Sequence, residues 1–205
     1  MSLLWLLLPL FFCLMRFITH KYICSALITL SCAAVTALAG RGGASWLVVA
    51  ALVISAGGDW FMSHQPLNPN FFLFGVAGFA LAHAVFIVYA AQSFRFSLPA
   101  LLVALALAVL YAFYLKARVF PKADGFLRPA LAGYALISLV GFFFALCRQA
   151  PGLEKALYAI GIACILFSDT MIAEAKFAGQ QWANQWILPT YYLCQLLITA
   201  SRLLG

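Results

Sequence analysis

Apolar runs of about 20 residues follow one another along nearly the whole chain, separated only by short polar gaps. That length of helix is what it takes to cross roughly 30 Å of hydrocarbon. Composition agrees: of 205 residues 66% are hydrophobic and only 8% charged, whereas a soluble domain carries roughly 25% charged residues. The chain cannot clothe a water-facing surface, and its expected solvent is a lipid bilayer.

The runs predict about eight spans, at roughly 2–18, 22–39, 45–62, 71–91, 98–115, 128–147, 156–173 and 187–204. Gly40-Arg41-Gly42-Gly43 closes the second, Pro66 and Pro69 lie after the third, and Pro121 to Gly125 follows the fifth. Every gap is short, so consecutive spans run antiparallel. The expectation is an all-α polytopic transmembrane bundle, a single domain over residues 1–205. The first run, Leu3 to Leu14, has the length of a signal-peptide core but lacks a basic leader and a small-residue cleavage site, so it is kept as a span.

The net charge of +7 is scattered singly or in twos between spans, which speaks for loops beside anionic lipid and against a nucleic-acid partner. Call side A the face reached after the odd-numbered spans. It carries Arg16, Lys21, Lys116, Arg118, Lys122, Arg128 and Lys176, and the other face carries Arg41, Arg95, Arg148, Lys155 and Arg202. This small excess leans towards a cytoplasmic side A. Arg16, Lys21 and His20 sit where basic side chains snorkel to headgroups. In a bacterial host the expected location is the cell (inner) membrane. The six cysteines, Cys13, Cys24, Cys32, Cys147, Cys164 and Cys194, show no metal-ligand spacing and read as packed thiols.

Five acids are present, and Asp124, Glu154 and Glu174 fall in loops or at span ends. Asp59 and Asp169 lie inside spans three and seven, where a carboxylate is costly and usually marks a site facing the protein interior. The plainer alternative is that both are wetted by the interface or serve only as interhelical hydrogen-bond partners. Both lie near the side-A ends of their spans, and span eight begins on that side with Tyr191, Tyr192 and Gln195 at helical spacing. These five groups are expected to converge near side A, leaving the other half of the bundle almost bare. His83, in a stripe with Gly75 and Phe79, is expected to be a core histidine or the floor of that cavity, about two turns deeper. Ser168 adjoins Asp169 but points about 100° away on a helix, so it reads as bonded to its own preceding turn.

Asp59 to His83 and Asp169 to Gln195 span 24 and 26 residues, which hints at a weak parallel four-plus-four repeat. No phosphate-cradling glycine loop, serine elbow or zinc-helix motif occurs, and neither a metal nor another cofactor is expected.

The chain resembles the YhhN family of membrane proteins, whose characterised members are lysoplasmalogenases. The resemblance rests on Gly58-Asp59-Trp60-Phe61-Met62, on Gly78 to His83, on Gly161 to Ile172, and on Tyr191 to Ile198. At Phe86 the chain departs from a tyrosine common in the family, so any hydroxyl role there is missing. The resemblance implies a lysophospholipid substrate, cleaved at the vinyl ether of its first glycerol carbon to give fatty aldehyde and glycerophosphoethanolamine or glycerophosphocholine. Such chemistry needs an acid that holds its proton near neutral pH, a role suited to two neighbouring buried carboxyls, which cannot both ionise easily. Asp59 and Asp169 would be catalytic, with His83, Ser168, Tyr191, Tyr192 and Gln195 binding or supporting. The alternatives are a small transporter or proton-coupled carrier, and a metal-dependent hydrolase of another lipid. Oligomeric state is open.

Overall fold

A computed structural model describes residues 2–20, 23–41, 45–68, 70–125 and 127–204. Lys21, Gly42, Gly43 and Pro69, all expected in loops, lie outside the described residues. The described chain is helical throughout: α1 is Leu7–Thr19 after a short 3-10 turn, α2 Ile23–Ala39, α3 Ser45–Ser63, α4 Asn70–Ala91, α5 Leu98–Tyr114, α6 Leu127–Cys147, α7 Gly152–Lys176 and α8 Asn184–Leu204. Helices satisfy their own backbone groups, which is why apolar runs immersed in lipid take this form.

Among the described residues six helices are long and apolar enough to cross a membrane: α3, α4, α6 and α7, α5 with the π turn that extends it to Val119, and α8 with the turn that begins it at Gln181. The first two apolar helices, Leu3–Thr19 and Ile23–Ala39, are shorter and reach only the lower limit of spanning length. Trp60, Trp182 and Trp186 are exposed near side A and Trp46 near the opposite side, as interfacial aromatic belts require.

The principal neighbours form a ring in the order α2, α3, α4, α6, α7, α8 and back to α2, with α1 resting on α2 and α5 on α6. Each contact in the first half has a counterpart in the second, since α2, α3 and α4 correspond to α6, α7 and α8. This is the arrangement that a parallel four-plus-four repeat produces. Close approach is set by glycines. A Cβ on Gly75 of α4 would lie 2.7 Å from Met62 of α3, and one on Gly161 of α7 would lie 2.8 Å from Ile198 of α8.

Local signals fix several ends. Ser97 caps α5 by accepting from the Ala100 N–H at 3.4 Å, with Pro99 in the first turn. His20 ends α1 in the left-handed region at φ 54°. Side-A ends are tied to one another by Lys122 Nζ donating to the Ala178 carbonyl at 2.7 Å and by Arg118 pairing with Glu174 at 3.2 Å. At the opposite ends the Arg41 N–H donates to the Arg202 carbonyl at 2.8 Å.

The half of the ring away from side A is packed solid around Cys32, Val48, Leu52, Tyr89, Tyr158 and Ile198. It is not bare of charge, contrary to expectation. Glu154 is buried there between Arg148, at 2.7 Å, and Arg202, which also donates to the Arg41 carbonyl. The Arg148 guanidinium lies 4.7 Å from the Tyr89 ring. Each of these residues reads as a loop charge in sequence; only the folded ring brings residues 148, 154 and 202 to one point.

Candidate active site

The A half of the ring holds a cavity of about 470 Å³. Its depth is mostly apolar, with Ala82, Phe86 and Ile165 beside Ser55, while Gln65, Lys176, Gln181 and Asn184 stand where the helices end. Asp59, His83, Ser168, Asp169 and Tyr191 all line it. Burying carboxyls in a membrane bundle is costly unless partners answer them, and each aspartate has a distinct set.

Asp59, in the last turns of α3, is 6% exposed. Its Oδ2 accepts from the Thr29 hydroxyl of α2 at 2.6 Å and from the Tyr191 hydroxyl of α8 at 3.2 Å. Phe79 of α4 packs edge-on against Tyr191, centroids 5.7 Å apart, and holds the phenol in place.

Asp169, on α7, faces His83 of α4, with Oδ2 3.6 Å from Nε2. His83 Nδ1 lies 2.9 Å from the Phe79 carbonyl oxygen. A carbonyl only accepts, so the ring hydrogen is assigned to Nδ1 and Nε2 presents its lone pair to Asp169. Both facing atoms are buried and without a hydrogen bond among the described residues. Tyr134 of α6 stands edge-on to the His83 ring at 5.6 Å. No hydrogen bond joins the two carboxyls directly; they are separate stations on one cavity.

Several expectations shift in detail. His83 sits beside Asp169 rather than two turns beneath it, because residue counting treats helices as parallel and side chains as points. Tyr192 does not line the cavity: one residue turns it about 100° from Tyr191, and its hydroxyl bonds Ser25 Oγ of α2 at 2.6 Å. Gln195 shares the Tyr191 face but lies one turn further in, where it is 0% exposed, outside the cavity lining, and its amide has no partner among the described residues. Ser168 donates to the Ile187 carbonyl of α8 at 3.0 Å and not to its own helix. Phe86 contributes a ring to the cavity, and its carbonyl accepts from the Tyr158 hydroxyl at 2.9 Å.

Three features at or behind the cavity wall escape the sequence reading. Thr29 belongs to a hydroxyl stripe with Ser25 at four-residue spacing on α2, a signal present in the sequence. Arg16, read as a snorkelling cation, is 8% exposed and lines the cavity, its Nε donating to Ser25 Oγ at 3.4 Å. Lys176 crosses the mouth to Gln65 Oε1 at 3.0 Å. Among the described residues no three His, Cys, Asp or Glu side chains gather as a metal site would require.

A bundle of apolar helices enclosing an acid-lined cavity near one face defines a polytopic membrane protein with an internal polar site. The chain belongs to the YhhN family, whose sequence model matches residues 19–202, nearly its whole length. No curated protein and no solved structure matches it.

Proposed function

We propose that this protein hydrolyses the vinyl-ether bond of a lysoplasmalogen, releasing a fatty aldehyde and glycerophosphoethanolamine or glycerophosphocholine. The observation that carries the reading is that Asp59 and Asp169 line one cavity between an apolar floor and a polar mouth. A single-chain lipid fits that gradient, its tail among Ala82, Phe86 and Ile165 and its head towards Gln181 and Asn184.

In this reaction an acid gives its proton to the alkene carbon remote from the ether oxygen, leaving an oxocarbenium centre. Water adds at that centre and loses a proton to the conjugate base. The hemiacetal so formed then splits into aldehyde and glycerol hydroxyl. One water is consumed and the borrowed proton is returned. Asp169 with His83 is the proton-exchanging station, because the facing oxygen and nitrogen can hold one proton between them. Asp59, accepting two donated hydrogen bonds, is arranged to stand as a carboxylate and stabilise the cation. The far half is packed and carries the Arg148–Glu154–Arg202 cluster, so in this structure the polar end of the cavity lies towards side A, as suits an enzyme that takes its lipid from one face.

The test is to incubate purified protein with lysoplasmalogen and with its saturated alkyl-ether analogue. Aldehyde should appear only from the vinyl ether, since the analogue has no alkene to protonate. Absence of aldehyde from both would remove the reading.

A further inference from the structure

Buried polar atoms in a folded protein are paired, either with other protein groups or with water. Gln195 of α8 departs from this at both ends of its amide: Nε2 and Oε1 are buried without a hydrogen-bond partner among the described residues, and the side chain is 0% exposed. Thr199, one turn further along the same face, is also fully buried, and its hydroxyl finds no nitrogen or oxygen partner among them. A glutamine amide offers two donors and two acceptor sites. Leaving all of them unmade in a membrane-embedded core is costly, and methionine would fill a similar volume without that cost. Bound water is the ligand that answers a donor and an acceptor together.

Helix register places this amide against the cavity. The Tyr191 hydroxyl of α8 reaches Asp59 of α3 at 3.2 Å. Since α3 runs towards side A and α8 away from it, Ser55 and Gln195 each stand four residues from that bond, about 6 Å deeper. Ser55 lines the cavity and Gln195 lies outside the lining at the same level. Hydrolysis consumes one water, yet a lipid seated in the cavity fills the polar mouth and the apolar depth and bars water from entering. A water held behind the wall, where the chain cannot displace it, meets that need.

Resting on the proposed function, we propose that Gln195, with Thr199 behind it and Ser55 in front, binds the water that the reaction consumes and hands it to the cavity beneath Asp59. The oxygen of that water forms the bond to the oxocarbenium carbon. One of its protons goes to the conjugate base and the other stays on the hemiacetal hydroxyl. Gln195 is a water-binding residue and exchanges no proton.

Radiolytic footprinting of the full-length protein in detergent reads such a water apart from turnover, because hydroxyl radicals made from an internal water oxidise the side chains beside it. Cys194 and Ile198, both 0% exposed and next to Gln195 and Thr199 in the chain, should be oxidised in the wild type. They should remain so when a non-hydrolysable 1-O-alkyl lysophospholipid fills the cavity. Gln195→Met should reduce that oxidation severalfold and lower kcat by about tenfold or more, with KM and analogue binding unchanged. Thr199→Val should act in the same direction to a smaller extent. Thr36→Val, which removes a buried hydroxyl bonded to the Cys32 carbonyl of its own helix at 2.8 Å, should alter neither quantity. If Gln195→Met does not fold, Thr199→Val and the wild-type footprint with and without the analogue still decide. An unoxidised Cys194 and Ile198 in the wild type, loss of their oxidation when the analogue binds, or an unchanged footprint or kcat in both variants overturns the proposal. A wild type oxidised there with the analogue bound, yet releasing no aldehyde from lysoplasmalogen, keeps the water site and loses the proposed reaction.

Discussion

His83 Nε2 of α4 and Asp169 Oδ2 of α7 face each other across 3.6 Å, and neither atom has a hydrogen bond among the described residues. With Nδ1 committed to the Phe79 carbonyl, the imidazole can only accept at Nε2. The pair is therefore able to share one proton.

From this pairing, His83→Gln is expected to lower vinyl-ether hydrolysis by about 10²-fold or more while leaving the protein folded, since general acid–base groups contribute about 10²–10⁴-fold. Glutamine keeps polarity and bulk but cannot cycle a proton. Steady-state turnover at matched expression checks it. Near-normal turnover would make His83 a packing residue.

The second station predicts a graded response. Thr29→Val preserves shape and removes the 2.6 Å donor to Asp59; Tyr191→Phe removes the 3.2 Å donor. Hydrogen bonds to charged groups are worth about 1.5–3 kcal/mol, so each change should cost roughly tenfold or more in turnover. Loss with Tyr191→Phe but none with Thr29→Val would restrict the role of α2 to packing.

These groups differ in how far the sequence reveals them. Asp59, Asp169 and His83 stand out because a polar side chain in an apolar run must find a partner inside the bundle. The long helices are legible for the same reason, from apolar length alone. What pairs with what is set by helix neighbours and rotation. Thr29 meets Asp59 only because α2 lies beside α3, and Tyr192 turns away from the cavity while Tyr191 enters it. The Glu154 cluster is invisible to a linear reading, its members being ordinary loop charges until the ring closes.

That cluster predicts a stability effect separable from activity. Glu154→Gln leaves Arg148 and Arg202 buried without their shared carboxylate, and breaking a buried pair by removing one partner costs about 3–5 kcal/mol. A lower thermal midpoint in detergent is expected, with turnover per folded molecule little changed, because Glu154 does not line the cavity. An unchanged midpoint would mean that Tyr89 and the backbone carbonyls hold both arginines unaided.

Turnover should also survive exhaustive chelation. His83 and Asp169 offer two donors, while a catalytic zinc takes about three from the protein. Activity lost to a chelator and restored by zinc would replace the proton-sharing role of the pair with ligation.

The last prediction concerns the two carboxyls together. Asp59→Asn and Asp169→Asn should each remove most hydrolysis, because on the proposed mechanism one station supplies the proton and the other stabilises the charge that the proton creates. The structure gives them separate neighbours, Thr29 and Tyr191 for one and His83 for the other, so neither substitution should disturb the other's contacts. Both nevertheless line one cavity and, on the proposed mechanism, serve one transition state, and groups acting as a unit are strongly non-additive. The double variant should therefore be little slower than the slower single one. Hydrolysis by the three variants at matched membrane expression, with binding of the alkyl-ether lysolipid as a check that the cavity is intact, decides the matter. Retained turnover in Asp59→Asn would leave catalysis to the His83–Asp169 pair alone, and retained turnover in Asp169→Asn would end the acid role assigned to it.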